Sequence, residues 1–122
     1  MARLIRAPAG AELVLPWWAW LPRRRYRVIG SVDAADLVPD HLPRKAMVLV
    51  ENSHGPAWVA FDCPCARGHR LLLPLDERRR PHWRLTVGRF ASLSPSVDSH
   101  ENGTHCHFVL RLGQIRWAKD TD

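Results

Sequence analysis

Ten prolines and seven glycines interrupt this 122-residue chain, and helical periodicity between them is scarce. Proline cannot continue a helix interior, and glycine weakens one. What lies between the breaks is a series of short runs rich in β-branched, aromatic and leucine side chains. Tyr26–Val32, Ala46–Glu51, Trp58–Asp62, Arg70–Leu75, Trp83–Val87, His105–Leu112 and Gln114–Ala118 each read as a strand, the last two closing as a hairpin near Gly113. Asp33 is placed to cap a single helical turn through Leu37, and Asn52–Pro56 is a turn by composition. The expectation is a mainly β protein, one antiparallel β-rich domain over residues 1–122. Its core would span 23–118, preceded by an irregular segment (1–22) whose Trp17, Trp18 and Trp20 pack on the domain or on a partner.

Chain length permits one modest hydrophobic core. No apolar run reaches the roughly 18–20 residues that span a bilayer, and the stretch Leu13–Leu21 is broken by Pro16. It also lacks the smooth apolar centre of a secretory signal, so a cytoplasmic protein without membrane association is expected. The net charge of +6 sits mainly in Arg23-Arg24-Arg25 with Arg27, and in Arg78-Arg79-Arg80. Such clusters suit phosphate backbones or acidic proteins alike. No groove-reading motif accompanies them, which makes nucleic acid the less favoured partner.

The chemistry concentrates in two clusters, Cys63-Pro64-Cys65 and His105-Cys106-His107. Three cysteines cannot all pair, and such an odd set fits metal binding better than a disulfide framework. Mixed thiolate and imidazole donors favour Zn2+. On a strand, His105, His107 and Val109 face one way while Cys106, Phe108 and Leu110 face the other. That alternation favours a site of Cys63, Cys65, His105 and His107, with Cys106 in the core. A bend or bulge would instead admit Cys106 beside His107. His69 is a further possible ligand or a neighbour that steadies one. A hydrolytic metal needs a general base, for which Glu51, at a strand end beside a turn, is the candidate. In Leu93-Ser94-Pro95-Ser96, proline stiffens the backbone between two hydroxyls, so Ser94 or Ser96 could orient a substrate, stabilise an oxyanion or act as nucleophile beside a metal-free histidine.

Several ordered elements resemble domain-of-unknown-function family 6527, a group of small bacterial proteins. They are Cys63-Pro64-Cys65, the apolar run Arg70–Leu75, Trp83-Arg84-Leu85-Thr86, Leu93-Ser94-Pro95-Ser96-Val97, His107-Phe108 and Gly113-Gln114-Ile115-Arg116-Trp117. The resemblance covers roughly residues 58–117. It departs at Thr104, where family members often carry cysteine, and at Ala66-Arg67, where glycine commonly follows the C-x-C. It therefore carries over Cys63, Cys65 and His107 as ligands and leaves a fourth open between His105 and Cys106.

The family is associated with bacterial ubiquitin-like conjugation operons of antiphage defence. The resemblance implies a peptidase that trims or releases a ubiquitin-like protein, with that protein and its E1-like and E2-like enzymes as partners. Joined to the cysteine and histidine clusters, it yields the expectation of a zinc-dependent peptidase using Glu51 as base. The competing expectation is a non-catalytic, zinc-stabilised adaptor for a conjugation enzyme or its target.

Overall fold

The computed structural model describes residues 4–65, 69–101 and 104–118. Its architecture is almost entirely β, in three small sheets. The first contains β1 (Ile5–Arg6), β2 (Arg27–Val32), β3 (Ala46–Asn52), β4 (Gly55–Asp62) and β5 (Arg70–Pro74), side by side in chain order. The short strands β6 (Arg84–Thr86) and β7 (Ser92–Ser94) pair antiparallel. The third sheet has β9 (Thr104–Arg111) between β8 (Val97–Glu101) and β10 (Gln114–Trp117).

The expectation of a mainly β fold is met, with one difference in strand direction. β1 and β2 run parallel, as do β2 and β3, whereas the remaining pairs are antiparallel. The β2–β3 crossover passes through a one-turn 3-10 segment at Ala35–Leu37, in the place expected, but its N-cap is Ala34 without a side-chain bond, and Asp33 instead accepts the Gly10 N–H at 2.9 Å. Residues 4–22 also contain more order than expected. Ile5–Arg6 extends the first sheet, and its passage requires Gly30: a Cβ there would lie 2.6 Å from Leu13 Cδ2 and 3.0 Å from the Ile5 carbonyl oxygen. Trp17–Trp20 forms a 3-10 turn anchored through buried Ala19, while Trp17, Trp18 and Trp20 themselves stand exposed.

Hydrophobic side chains from all three sheets meet in one cluster. An edge-to-face series runs through it, from Tyr26 to Phe61 (6.0 Å between centroids), Phe61 to Phe108 (6.5 Å) and Phe108 to Trp117 (5.8 Å). Phe61 and Phe108 are fully buried. Truncating either to alanine would cost about 3–5 kcal/mol. The β9–β10 hairpin docks through Gly113, whose carbonyl accepts the Tyr26 N–H at 2.8 Å and whose N–H bonds the Ala91 carbonyl at 2.7 Å. Its φ of +78° and a Cβ position 2.6 Å from Arg25 Cβ leave room for glycine alone. These contacts hold β9 between the core and the outer surface, and both candidate sites lie on that strand.

Candidate functional site

Alternation along β9 separates two sets of reactive side chains. Cys106, Phe108 and Leu110 are buried, whereas His107 and Val109 are only partly so. Facing strands follow the same rule, with Val97 opposite Phe108 in the core and Asp98 opposite His107.

On the inner side, Cys106 joins Cys63, Cys65 and His69, with the four donor atoms all within 4.8 Å of one another. The loop after β4 carries three of them, and it is closed by a 3.0 Å bond from the Cys63 N–H to the His69 carbonyl. Cys65 Sγ lies 3.6 Å from His69 Nδ1. Thiolates bound tetrahedrally at about 2.3 Å from zinc would lie about 3.8 Å from one another, so the spacing suits such an ion. The group could hold a metal as a closed three-thiol, one-imidazole set. Burial pushes the Cys63 thiol up to about 12, and hydrogen bonds with the Cys65 and Cys106 thiols push it the same way. Without a cation it is a neutral thiol at physiological pH, unsuited to act as a nucleophile.

On the outer side, Ser96 Oγ lies 3.0 Å from His107 Nε2, within the range expected of a nucleophile and its base. Both residues are half-buried. Ser96 follows the turn after β7, and its carbonyl accepts the indole N–H of Trp83 at 3.2 Å, which holds the backbone from behind. Asp98 stands directly opposite His107 in the β8–β9 ladder, with its side chain exposed.

The structure therefore distributes the expected site residues differently from the sequence reading. Cys63, Cys65 and Cys106 come together with His69, whereas His107 is on the opposite face of β9, bonded to Ser96. His105 belongs to β9 opposite His100, and its side chain lies outside the described part. Ser94 is exposed in β7. Glu51 belongs to β3 in the first sheet, where Arg6 Nη1 contacts its carboxylate at 3.3 Å. The sequence reading places no strand between Val87 and His105, and Asp98 therefore has no role in it. The signal was a serine and an aspartate at i and i+2 flanking an apolar valine, which is strand alternation.

A sequence model of the bacterial ubiquitination-like system serine protease family, BubE, matches residues 34–118. The chain belongs to this family. No curated protein and no solved structure matches it. BubE membership agrees with the operon association implied by the resemblance, although the match does not bear the family 6527 label. It overturns the expectation of zinc-dependent peptide hydrolysis, since a serine protease attacks with a hydroxyl and needs no metal-activated water. The general-base assignment of Glu51 was tied to that water and falls with it. What stands is a protease family of a ubiquitination-like system, together with a thiol and imidazole group that could hold a metal. Among the described residues, no helix is long and apolar enough to cross a membrane.

Proposed function

We propose that this chain is a serine peptidase acting on the tail of a ubiquitin-like protein, with Ser96 as nucleophile, His107 as general base and Asp98 as the group that orients His107. The single observation that carries the reading is the 3.0 Å approach of Ser96 Oγ to His107 Nε2 in a chain of a serine protease family. In the first step His107 Nε2 takes the Ser96 proton as Oγ bonds to the scissile carbonyl carbon. His107 then returns that proton to the departing amine, leaving an ester on Ser96. A water molecule, deprotonated by the same imidazole, cleaves the ester and regenerates the hydroxyl. Asp98 keeps Nδ1 protonated and steadies the imidazolium that forms.

The role assigned to Cys63, Cys65, His69 and Cys106 is structural. Four protein donors close a tetrahedral zinc shell, leaving no position for a reacting water. Such a site would tie the loop after β4 to β9, and so set the strand on which His107 sits.

The test is incubation of the purified protein with the precursor of its system's ubiquitin-like protein, alongside labelling with a fluorophosphonate. Release of the tail and a phosphonyl adduct on Ser96 are expected. Cleavage that persists undiminished in Ser96→Ala would overturn the reading.

A further inference from the structure

A groove that borders the thiol group only through Cys63 has no part in the peptidase chemistry described above. It encloses about 1310 Å³ between the β9–β10 hairpin and the segments around Arg24–Tyr26 and Asp40–Lys45. Gln114, Ile115, Arg116 and Trp117 all line it. Successive residues of a strand point to opposite faces, so a groove touching all four runs along the strand's edge. β10 is the outermost strand of its sheet, and among the described residues only β9 pairs with it. The groove thus presents an unpaired strand edge.

The walls are strongly cationic. Arg24, Arg25, Arg44, Lys45, Arg111 and Arg116 line the groove against two carboxylates, Asp40 and Asp62. Asp62 is already engaged by Arg70 at 2.7 Å. Two of the cations are fixed in place: Lys45 Nζ bonds the Arg24 carbonyl at 3.1 Å, and Arg25 stacks 4.7 Å above the Phe90 ring while reaching the Leu112 carbonyl. Arg24, Arg44, Arg111 and Arg116 make no ion pair among the described residues. Val109, on the groove wall, is two residues from His107 on the same face of β9, about 7 Å along the strand.

We infer that this groove docks an acidic, extended segment of a polypeptide partner, which adds to β10 as a further strand. Cations set along the walls select carboxylates, while the edge N–H and C=O groups of β10 accept the backbone of any sequence. A strand edge favours polypeptide over nucleic acid, because phosphodiester chains offer no N–H and C=O ladder to pair with it. The inference rests on the peptidase reading for its substrate, yet docking is measurable without cleavage.

Ser96→Ala protein is titrated with fluorescent peptides of equal length, one rich in glutamate, one neutral and one rich in lysine. Binding of the acidic peptide at least tenfold tighter than the neutral one is expected, weakening as salt is added. Arg111→Glu with Arg116→Glu removes that preference, with an unchanged thermal midpoint showing that the fold survives. Bound acidic peptide also protects the amides of Gln114–Trp117 from hydrogen exchange. Equal affinity for acidic and neutral peptides overturns the inference, as does tighter binding of a single-stranded oligonucleotide of matched charge. Absence of fluorophosphonate labelling at Ser96 in the wild-type protein strikes the peptidase reading instead, and acidic-peptide binding in that case still supports the groove's role.

Discussion

Cys106 and His107 are neighbours in the chain with opposite surroundings. Cys106 points inward to two further thiols and an imidazole, in a setting where burial holds the Cys63 thiol protonated up to about 12. His107 points outward to a serine hydroxyl with a carboxylate-bearing residue across the ladder. One set has the donor number and closure of a structural metal site; the other has the hydroxyl and base of covalent catalysis. A single peptide bond separates them because a β-strand sends adjacent side chains to opposite faces. Two chemistries that would compete for one histidine are kept apart by pleat alone.

The largest effect that separates the faces comes from Ser96→Ala. Loss of a serine nucleophile lowers kcat by about 10⁴-fold or more in enzymes of this chemistry. Metal content and thermal midpoint should match the parent protein, because the hydroxyl faces away from the thiols. Cys106→Ser should do the reverse. Structural zinc contributes on the order of 10 kcal/mol to folding in small domains, against a total stability of about 5–15 kcal/mol. Loss of one thiolate is expected to lower the unfolding midpoint by more than about 10 °C and to leave the purified protein short of metal. Metal analysis and calorimetry on both variants check the pair. A Cys106→Ser protein that keeps its midpoint but loses turnover would merge the two faces into one site.

Asp98→Asn comes next. The amide keeps the size of the carboxylate but cannot stabilise an imidazolium, and the analogous change in a serine triad lowers kcat by about 10⁴-fold. Here a drop of about 10²–10⁴-fold in kcat is expected, with KM little changed and metal content intact. Steady-state kinetics on the ubiquitin-like precursor give the split. A rise in KM alone would make Asp98 a substrate contact.

How much of this was legible in the sequence is clearest on β9 itself. The alternation of His107 against Cys106 and Phe108 is visible in the order of residues, and the strand obeys it. What the order cannot reveal is which face meets the C-P-C loop, because that depends on how β4 delivers residue 63 into the core. Cys63 is buried, so the partner it meets is the inward Cys106, with His69 closing the group from its own loop. The parallel pairing of β1, β2 and β3 was equally hidden. Short strands with turn signals suggest hairpins, whereas β2 and β3 are joined by a crossover through the 3-10 turn at Ala35–Leu37 and β1 reaches β2 through residues 7–26. No strand is expected between Val87 and His105, because three serines obscure the hydrophobic pattern of 92–98, which rests on Leu93 and Val97 alone.

Those serines offer a finer test, since Ser92, Ser94 and Ser96 share one segment and differ in surroundings. Ser92 Oγ accepts the Leu112 N–H at 2.8 Å, Ser94 is exposed opposite Arg84, and Ser96 meets His107. Ser94→Ala is therefore expected to change kcat/KM by less than about twofold, since exposed substitutions away from such features have effects within about 0.5 kcal/mol. A loss matching that of Ser96→Ala would mean that the substrate reaches the chain from the β7 side.

The smallest expected effect belongs to Glu51→Gln, and its smallness is informative. A glutamate that activated a metal-bound water would carry several orders of magnitude in rate, and its amide would be nearly inactive. Glu51 instead contacts Arg6 across a surface pair whose arginine side chain is 71% exposed, so solvent screens most of their attraction. Exposed pairs of this kind contribute about 0–1 kcal/mol, and the amide can still accept a hydrogen bond from Arg6. The expected outcome is a stability change below about 0.5 kcal/mol and a kcat within about twofold of the parent, measured by chemical denaturation and by cleavage of the ubiquitin-like precursor. A hundredfold loss of kcat at unchanged stability would place the first sheet inside the reaction, and the separation of labour between the two faces of β9 would no longer describe this protein.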